Sequence, residues 1–170
     1  MEPHYYEVNV NWNKDRKGIM CSPELNVSGN SAPGCIEVAT PPEFPKGMPG
    51  IWSPEHLFTA AVSSCLMTTF LAIAENFKLE FTAFTCESKG KLEKVNGAFM
   101  MSEIILAPTV TIANEKDREL AEKVLWKSEG ACLISNSIKS KVSMNPIIKV
   151  IRDKAIAAAV DSKRLMDARK

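Results

Sequence analysis

The sequence predicts an α+β fold in which strands and helices come in blocks. Three observations carry that prediction. Residues 57–74 hold no charged side chain, yet they follow a strong helix start, Ser53-Pro54-Glu55. Two long alternating segments flank Asn96-Gly97, a dipeptide that signals a tight hairpin. The order strands, long helix, hairpin, helix, strand differs from the repeated βαβ winding of parallel sheets.

Taken in order, Tyr6, Val8, Val10 and Trp12 alternate with Glu7, Asn9 and Asn11, which predicts a half-buried strand over 5–12. Lys14-Asp15-Arg16-Lys17-Gly18 reads as a turn, with a return strand over 18–21 and a third over 35–39. Residues 28–34 form a loop between them. Residues 40–50 contain Pro41, Pro42, Pro45 and Pro49, so this stretch is a stiff connector and no regular element. Ser53 is a good N-cap, Pro54 suits the first helical position, and Glu55 complements the helix dipole. Trp52 is placed to staple the helix start. The helix runs to about Phe77, roughly 34 Å. It is apolar around most of its circumference, so it is expected to be central and buried.

Strands are predicted over 81–91 and 98–113. Asn114 caps a second helix over 115–127, with Leu120, Ala121, Val124 and Leu125 as its apolar stripe. Ser128-Glu129-Gly130 breaks it, residues 131–136 resume a turn, and 138–142 form a last strand ending near Asn145-Pro146. The organisation expected is one domain over 1–150 and a charged, solvated helical tail over 151–170.

A net charge of +1 provides no basic field for nucleic acid. The five cysteines, Cys21, Cys35, Cys65, Cys86 and Cys132, are widely spaced and include no CxxC pair. That argues against a disulfide-stapled secreted domain and against a structural zinc site, so no metal and no cofactor are expected. No basic-then-apolar leader is visible at the N-terminus, and a cytoplasmic location with free thiols is the expectation. Residues 57–74 approach a bilayer span, but Thr59, Ser63, Ser64, Thr68 and Thr69 favour burial inside protein over a membrane. A helix apolar on nearly every side needs cover on every side, which a homodimer sharing one core supplies.

The candidate chemistry lies in two distant thiols. Cys65 falls in the middle of the long helix, where its own helix dipole helps little, so ionising it requires a donor or cation from elsewhere. A thiolate attacking a peroxide becomes a sulfenic acid, which a second thiol condenses to a disulfide. Cys132, just after the Gly130 helix break, is the best resolving candidate. Cys21, Cys35 and Cys86, in or beside strands, read as structural. A buried cysteine is more often packing than chemistry. The competing reading is therefore a non-catalytic protein that holds a small apolar ligand at its dimer interface.

Ser53-Pro54-Glu55-His56-Leu57-Phe58-Thr59-Ala60-Ala61-Val62-Ser63-Ser64-Cys65 resembles the signature of the OsmC/Ohr family, the osmotically inducible and organic hydroperoxide resistance proteins. Gly130-Ala131-Cys132-Leu133-Ile134-Ser135-Asn136 resembles its second-cysteine motif. The resemblance covers about residues 5–147. It implies antiparallel sheets wrapped around long central helices in an intertwined homodimer. It also implies a thiol-dependent peroxidase that reduces organic hydroperoxides in oxidative stress defence. Cys65 would match the peroxidatic cysteine, Cys132 the resolving one, and Glu55 the carboxylate holding an arginine over the thiolate. Roughly 15 Å of helix separates Glu55 from Cys65, so Glu55 would serve the partner's thiol. The cation could come from Lys14, Arg16, Lys17 or Lys46; Arg16 is preferred for its bidentate fork. Phe58, Met67 and Phe70 would line an apolar substrate pocket. The reductant would be a dithiol, either lipoyl or thioredoxin-like.

Overall fold

The computed structural model describes residues 2–25 and 34–151. The charged tail expected over 151–170 lies, beyond Ile151, outside the described residues, as does most of the loop over 28–34. The chain divides into two compact units, Met1–Leu57 and Phe58–Lys170.

In the first unit, β1 (Asn9–Lys14), β2 (Lys17–Cys21) and β3 (Cys35–Ala39) form an antiparallel sheet in that order. The strand expected over 5–12 begins later, at Asn9, and all six of its residues are exposed. The predicted half-burial is therefore not met: Trp12 is 76% exposed, and Val10 and Tyr6 are open too. β1 is an edge strand whose apolar face is bare in the single chain.

Cys21 and Cys35 face each other across β2 and β3 and form a disulfide. This corrects the expectation of free thiols. Strand pairing joins cysteines that are 14 residues apart in sequence. Ser22 donates its N–H to Gly34 O at 3.3 Å, so Cys21 and Cys35 are a non-hydrogen-bonded pair, the kind whose side chains approach most closely. The proline-rich connector is irregular, as predicted. It is tied at its start by the Thr40 N–H to Arg16 O at 3.0 Å, and Ala39 donates to Trp52 O at 2.9 Å just before the helix.

α1 (Pro54–Asn76) begins in the first unit and continues through the second. Val62, Leu66, Phe70 and Ala74 recur every four residues and form its buried stripe. Ser64, Met67, Thr68, Leu71 and Ala72 stay exposed. The expectation of a helix covered on all sides is thus met on one face only. By length and composition α1 could cross a membrane; here its stripe packs into the core of the second unit.

The sheet beneath it is built on the hairpin of β4 (Ala83–Val95) and β5 (Ala98–Ile112). Asn96 and Gly97 both have positive φ, 52° and 85°, as a two-residue type I′ turn requires. Ile104, Leu106, Val110 and Ile112 alternate inward from β5 and complete the core with the α1 stripe. Gly90 of β4 is a point of close approach. A Cβ there would lie 2.3 Å from Thr59 Oγ1 and 2.5 Å from Met101 Cε.

α2 (Arg118–Gly130) buries Ala121, Val124, Leu125 and Ser128. It starts later than predicted because a 3-10 turn, Glu115–Asp117, comes first, and Asn114 makes no side-chain cap bond. It also continues through the predicted break. Ser128 donates its hydroxyl to Val124 O at 2.7 Å, which satisfies the serine inside the helix. α3 (Leu133–Ser137) follows, then β6 (Lys141–Met144) and β7 (Ile147–Val150). Both pair with β5 in parallel, so the sheet is mixed rather than purely antiparallel. The prediction stopped at Pro146 and missed β7. The chain resumes pairing beyond the proline, opposite Thr109–Ile112.

Candidate active site

Cys65 projects from the middle of α1 toward the corner between α2 and α3. That corner is made by Ala131, whose N–H returns to Lys127 O at 3.1 Å, and by Cys132, which leaves helical geometry with φ −65° and ψ 112°. Cys132 is the N-cap residue of α3, and its carbonyl accepts the Asn136 N–H at 3.1 Å. The Asn136 side chain donates to Gly130 O at 3.1 Å and fastens α3 back onto the end of α2. The corner thereby turns the first N–H groups of α3 toward Cys65. Ile134 N–H donates to Cys65 Sγ at 3.5 Å.

Burial opposes ionisation of both thiols, but their surroundings differ. At Cys65 the Ile134 N–H, the Cys132 thiol, the Thr69 hydroxyl and the Leu133 N–H together outweigh burial and hold the thiol below its ordinary range. At Cys132, which is fully buried, burial and the neighbouring Cys65 push the thiol up against hydrogen bonds from Ser135. Each thiol shifts the other's ionisation: Cys132 eases that of Cys65, and Cys65 opposes that of Cys132. The arrangement can therefore hold a thiolate at Cys65 and a proton at Cys132.

The other expected residues fall elsewhere. Glu55 is half-buried in the first turn of α1, and Arg16 is exposed in the β1–β2 turn; both belong to the first unit. Lys17 is engaged by Glu37 at 2.6 Å. Lys14 ends β1, and Lys46 lies in the connector with φ 63°. Phe58 is half-buried against the core, and Met67 is 39% exposed on the open side of α1. Phe70 is a correction. It is fully buried, with its ring 5.1 Å from Phe81 and 4.9 Å from Phe84, so it belongs to the core. Sequence reasoning missed Thr69, Ile134 and Ser135. Thr69 was detectable, because it lies four residues after Cys65 on the same helix face. The backbone donor was not, because it depends on how α3 folds back.

Residues 47–146 match the sequence profile of the family described as OsmC-like protein, and the chain belongs to the OsmC/Ohr family. It is 28% identical over 150 residues to the uncharacterized protein YmaD of Bacillus subtilis, covering 85% of this chain and 93% of that one. Its fold is similar to an OsmC-like protein of unknown function from Vibrio cholerae, with TM-score 0.73, 22% identity, and coverage of 85% of this chain and 100% of that one. It is also similar to the organic hydroperoxide resistance protein OsmC from Legionella pneumophila, with TM-score 0.65, 20% identity, and coverage of 88% and 100%.

Proposed function

We propose that this protein is a thiol-dependent peroxidase that reduces organic hydroperoxides to alcohols. The observation supporting this is the interaction of Cys65 with Cys132, the first thiol eased toward ionisation and the second held protonated. Some structural neighbours are named organic hydroperoxide resistance proteins, which agrees with this reading.

In the proposed reaction the Cys65 thiolate attacks one oxygen of ROOH and the O–O bond breaks. The departing alkoxide takes a proton and leaves as ROH, and Cys65 becomes a sulfenic acid. The Cys132 sulfur, losing its proton, attacks the Cys65 sulfur and expels the hydroxyl as water. The disulfide formed is reduced by an external dithiol, lipoyl or thioredoxin-like, which delivers two electrons and two protons and returns the enzyme to its starting state.

Arg16 is proposed to cover the thiolate and Glu55 to hold that arginine. These roles rest on the family resemblance, and both side chains would act within a homodimer. The dimer reading is supported by the bare apolar face of β1 and the open side of α1. Phe58 and Met67 remain the proposed pocket residues. We place the protein in the cytoplasm, where dithiol reductants are at hand.

The test is consumption of cumene hydroperoxide by the reduced protein, with dithiol supplied, beside Cys65→Ser. Turnover in the wild type and none in the variant is expected. A mass spectrum after one equivalent of peroxide should contain a Cys65–Cys132 linkage. Equal consumption by both proteins would remove the proposal, and a Cys65 midpoint near the free value of about 8.5 would favour the ligand-binding reading.

A further inference from the structure

The first unit holds a second pair of sulfurs, placed where an outside thiol can reach it. β2 and β3 pair in register from Lys17 opposite Ala39 to Cys21 opposite Cys35, and the disulfide closes the last rung of that ladder. Backbone hydrogen bonds hold the other rungs, so the strands stay paired whether or not the sulfurs are joined. Cys35 is exposed and Cys21 half-buried, in contrast to the fully buried Cys132. Access of this kind is what thiol–disulfide exchange needs, because an incoming thiolate must approach one sulfur directly.

The same two residues form part of the wall of a surface cavity of about 300 Å³. Val8, Met20, Leu25 and Ile36 supply most of the rest, and among the described residues the lining carries no charge. Leu25 is 61% exposed and Val8 57%, so an apolar seat stands open beside the bond. Glu24 Oε1 accepts the Glu7 N–H at 3.2 Å, which places a carboxylate next to the residues that precede Leu25 and Val8. Such a seat favours a neutral, apolar body over an anionic one. In the cytoplasm proposed above, disulfides are usually transient, catalytic or redox-sensing members of a cycling couple.

We propose that Cys21 and Cys35 are a second redox couple of this protein, a thiol–disulfide exchange site for a small neutral aliphatic dithiol seated in this cavity. One thiolate of the dithiol attacks the exposed Cys35 sulfur. The Cys21–Cys35 bond breaks, and Cys21 leaves as a thiolate and takes up a proton. The second sulfur of the dithiol, losing its proton, then attacks the sulfur bound to Cys35 and expels the Cys35 thiolate, which is protonated in turn. The dithiol departs as a cyclic disulfide, oxidised by two electrons, and Cys21 and Cys35 remain as two thiols. The same steps in reverse, with an incoming disulfide, restore the bond. Neither Cys65 nor Cys132 takes part, so the exchange stands apart from the peroxidase reading.

The test uses the full chain carrying Cys65→Ser and Cys132→Ser, which leaves the first-unit couple intact. The probe is 1,4-butanedithiol without denaturant, followed by iodoacetamide and mass spectrometry of the peptides that hold Cys21 and Cys35. Both peptides should take up label, while the far-ultraviolet circular dichroism spectrum keeps its native form. Label that appears only in urea overturns the proposal, and so does reduction that abolishes the strand signal, since either marks a bond that is structural. Leu25→Glu, at an exposed position, sets a carboxylate in the seat. It should slow reduction by butanedithiol roughly fivefold, which corresponds to about 1 kcal/mol, with no difference between the two proteins in urea. Equal native rates in both would overturn the cavity as the dithiol's seat.

Discussion

At the start of α1, Ser53 and His56 cap each other. The Ser53 hydroxyl accepts the His56 N–H at 3.3 Å, and His56 Nδ1 accepts the Ser53 N–H at 3.3 Å. This is the reciprocity of a capping box, with histidine where glutamate or glutamine usually stands. His56→Ala should therefore cost about 1 kcal/mol in a urea titration, the usual cost of a lost cap. His56→Gln should recover most of it, because an amide oxygen can accept the same N–H. Equal losses in both variants would mean that the imidazole matters for its packing against Trp52, whose ring lies edge-on at 6.2 Å. At Cys65 and Cys132, the sign of the pH dependence follows from the two thiol shifts. Cys65 is lowered and Cys132 raised, so the reactive form, one thiolate beside one thiol, fills a window that brackets the ordinary thiol range. Hydroperoxide consumption should climb as pH rises through a midpoint that lies below that of a free thiol. A rate that rises only above about 8.5 would contradict the assignment of Cys65 as the activated sulfur.

The contact between α1 and β4 depends on a missing side chain. With Gly90 replaced by alanine, the added methyl would meet Thr59 and Met101 at distances no real contact shows. The Met101 end and the Thr59 hydroxyl must then move aside, or the helix must lift from the sheet. Gly90→Ala is expected to lower stability by about 1–3 kcal/mol, the range for overpacking a close contact. Chemical denaturation of the two proteins checks it, and a neutral result would mean that Met101 swings clear at no cost. How legible such elements are in sequence depends on how local their causes are. The start of α1 and the β4–β5 turn were readable because caps and Asn-Gly act over a few residues. The same helix gave no sign of which stripe meets the sheet, because it is apolar nearly all round; hence Phe70 could be taken for a pocket residue when it is core. β7 was unreadable for the opposite reason, since Pro146 looks like an ending and only the partner strand β5 lets pairing resume. The Cys21–Cys35 bond and the Ile134 donor also come from long-range pairing, which spacing alone does not encode.

At the scale of the whole molecule, the described residues leave rows of apolar side chains bare. Tyr5, Tyr6, Val10 and Trp12 are exposed along the first strand region, and Met67 and Leu71 are exposed on α1. Scattered exposed apolar residues are ordinary, but rows of them on a strand and on a helix mark surfaces that another molecule covers. In the homodimer proposed here, the open side of α1 packs on a second copy and closes the core that one chain leaves half-built. Leu71, 44% exposed on that side, is the place to test it. In a monomer, Leu71→Glu would only add a charge to a wet surface and change stability by a few tenths of a kcal/mol. At a dimer interface the same carboxylate would be stripped of water with no partner to pair it, at a cost of several kcal/mol. Analytical ultracentrifugation separates the cases. The wild type should sediment at twice the mass of the chain, and Leu71→Glu should sediment as a monomer or fail to accumulate. A conservative Leu71→Met should retain the dimer. A wild type that sediments as a monomer at every concentration tried would remove the dimer reading, along with any role for Glu55 at a partner's thiol.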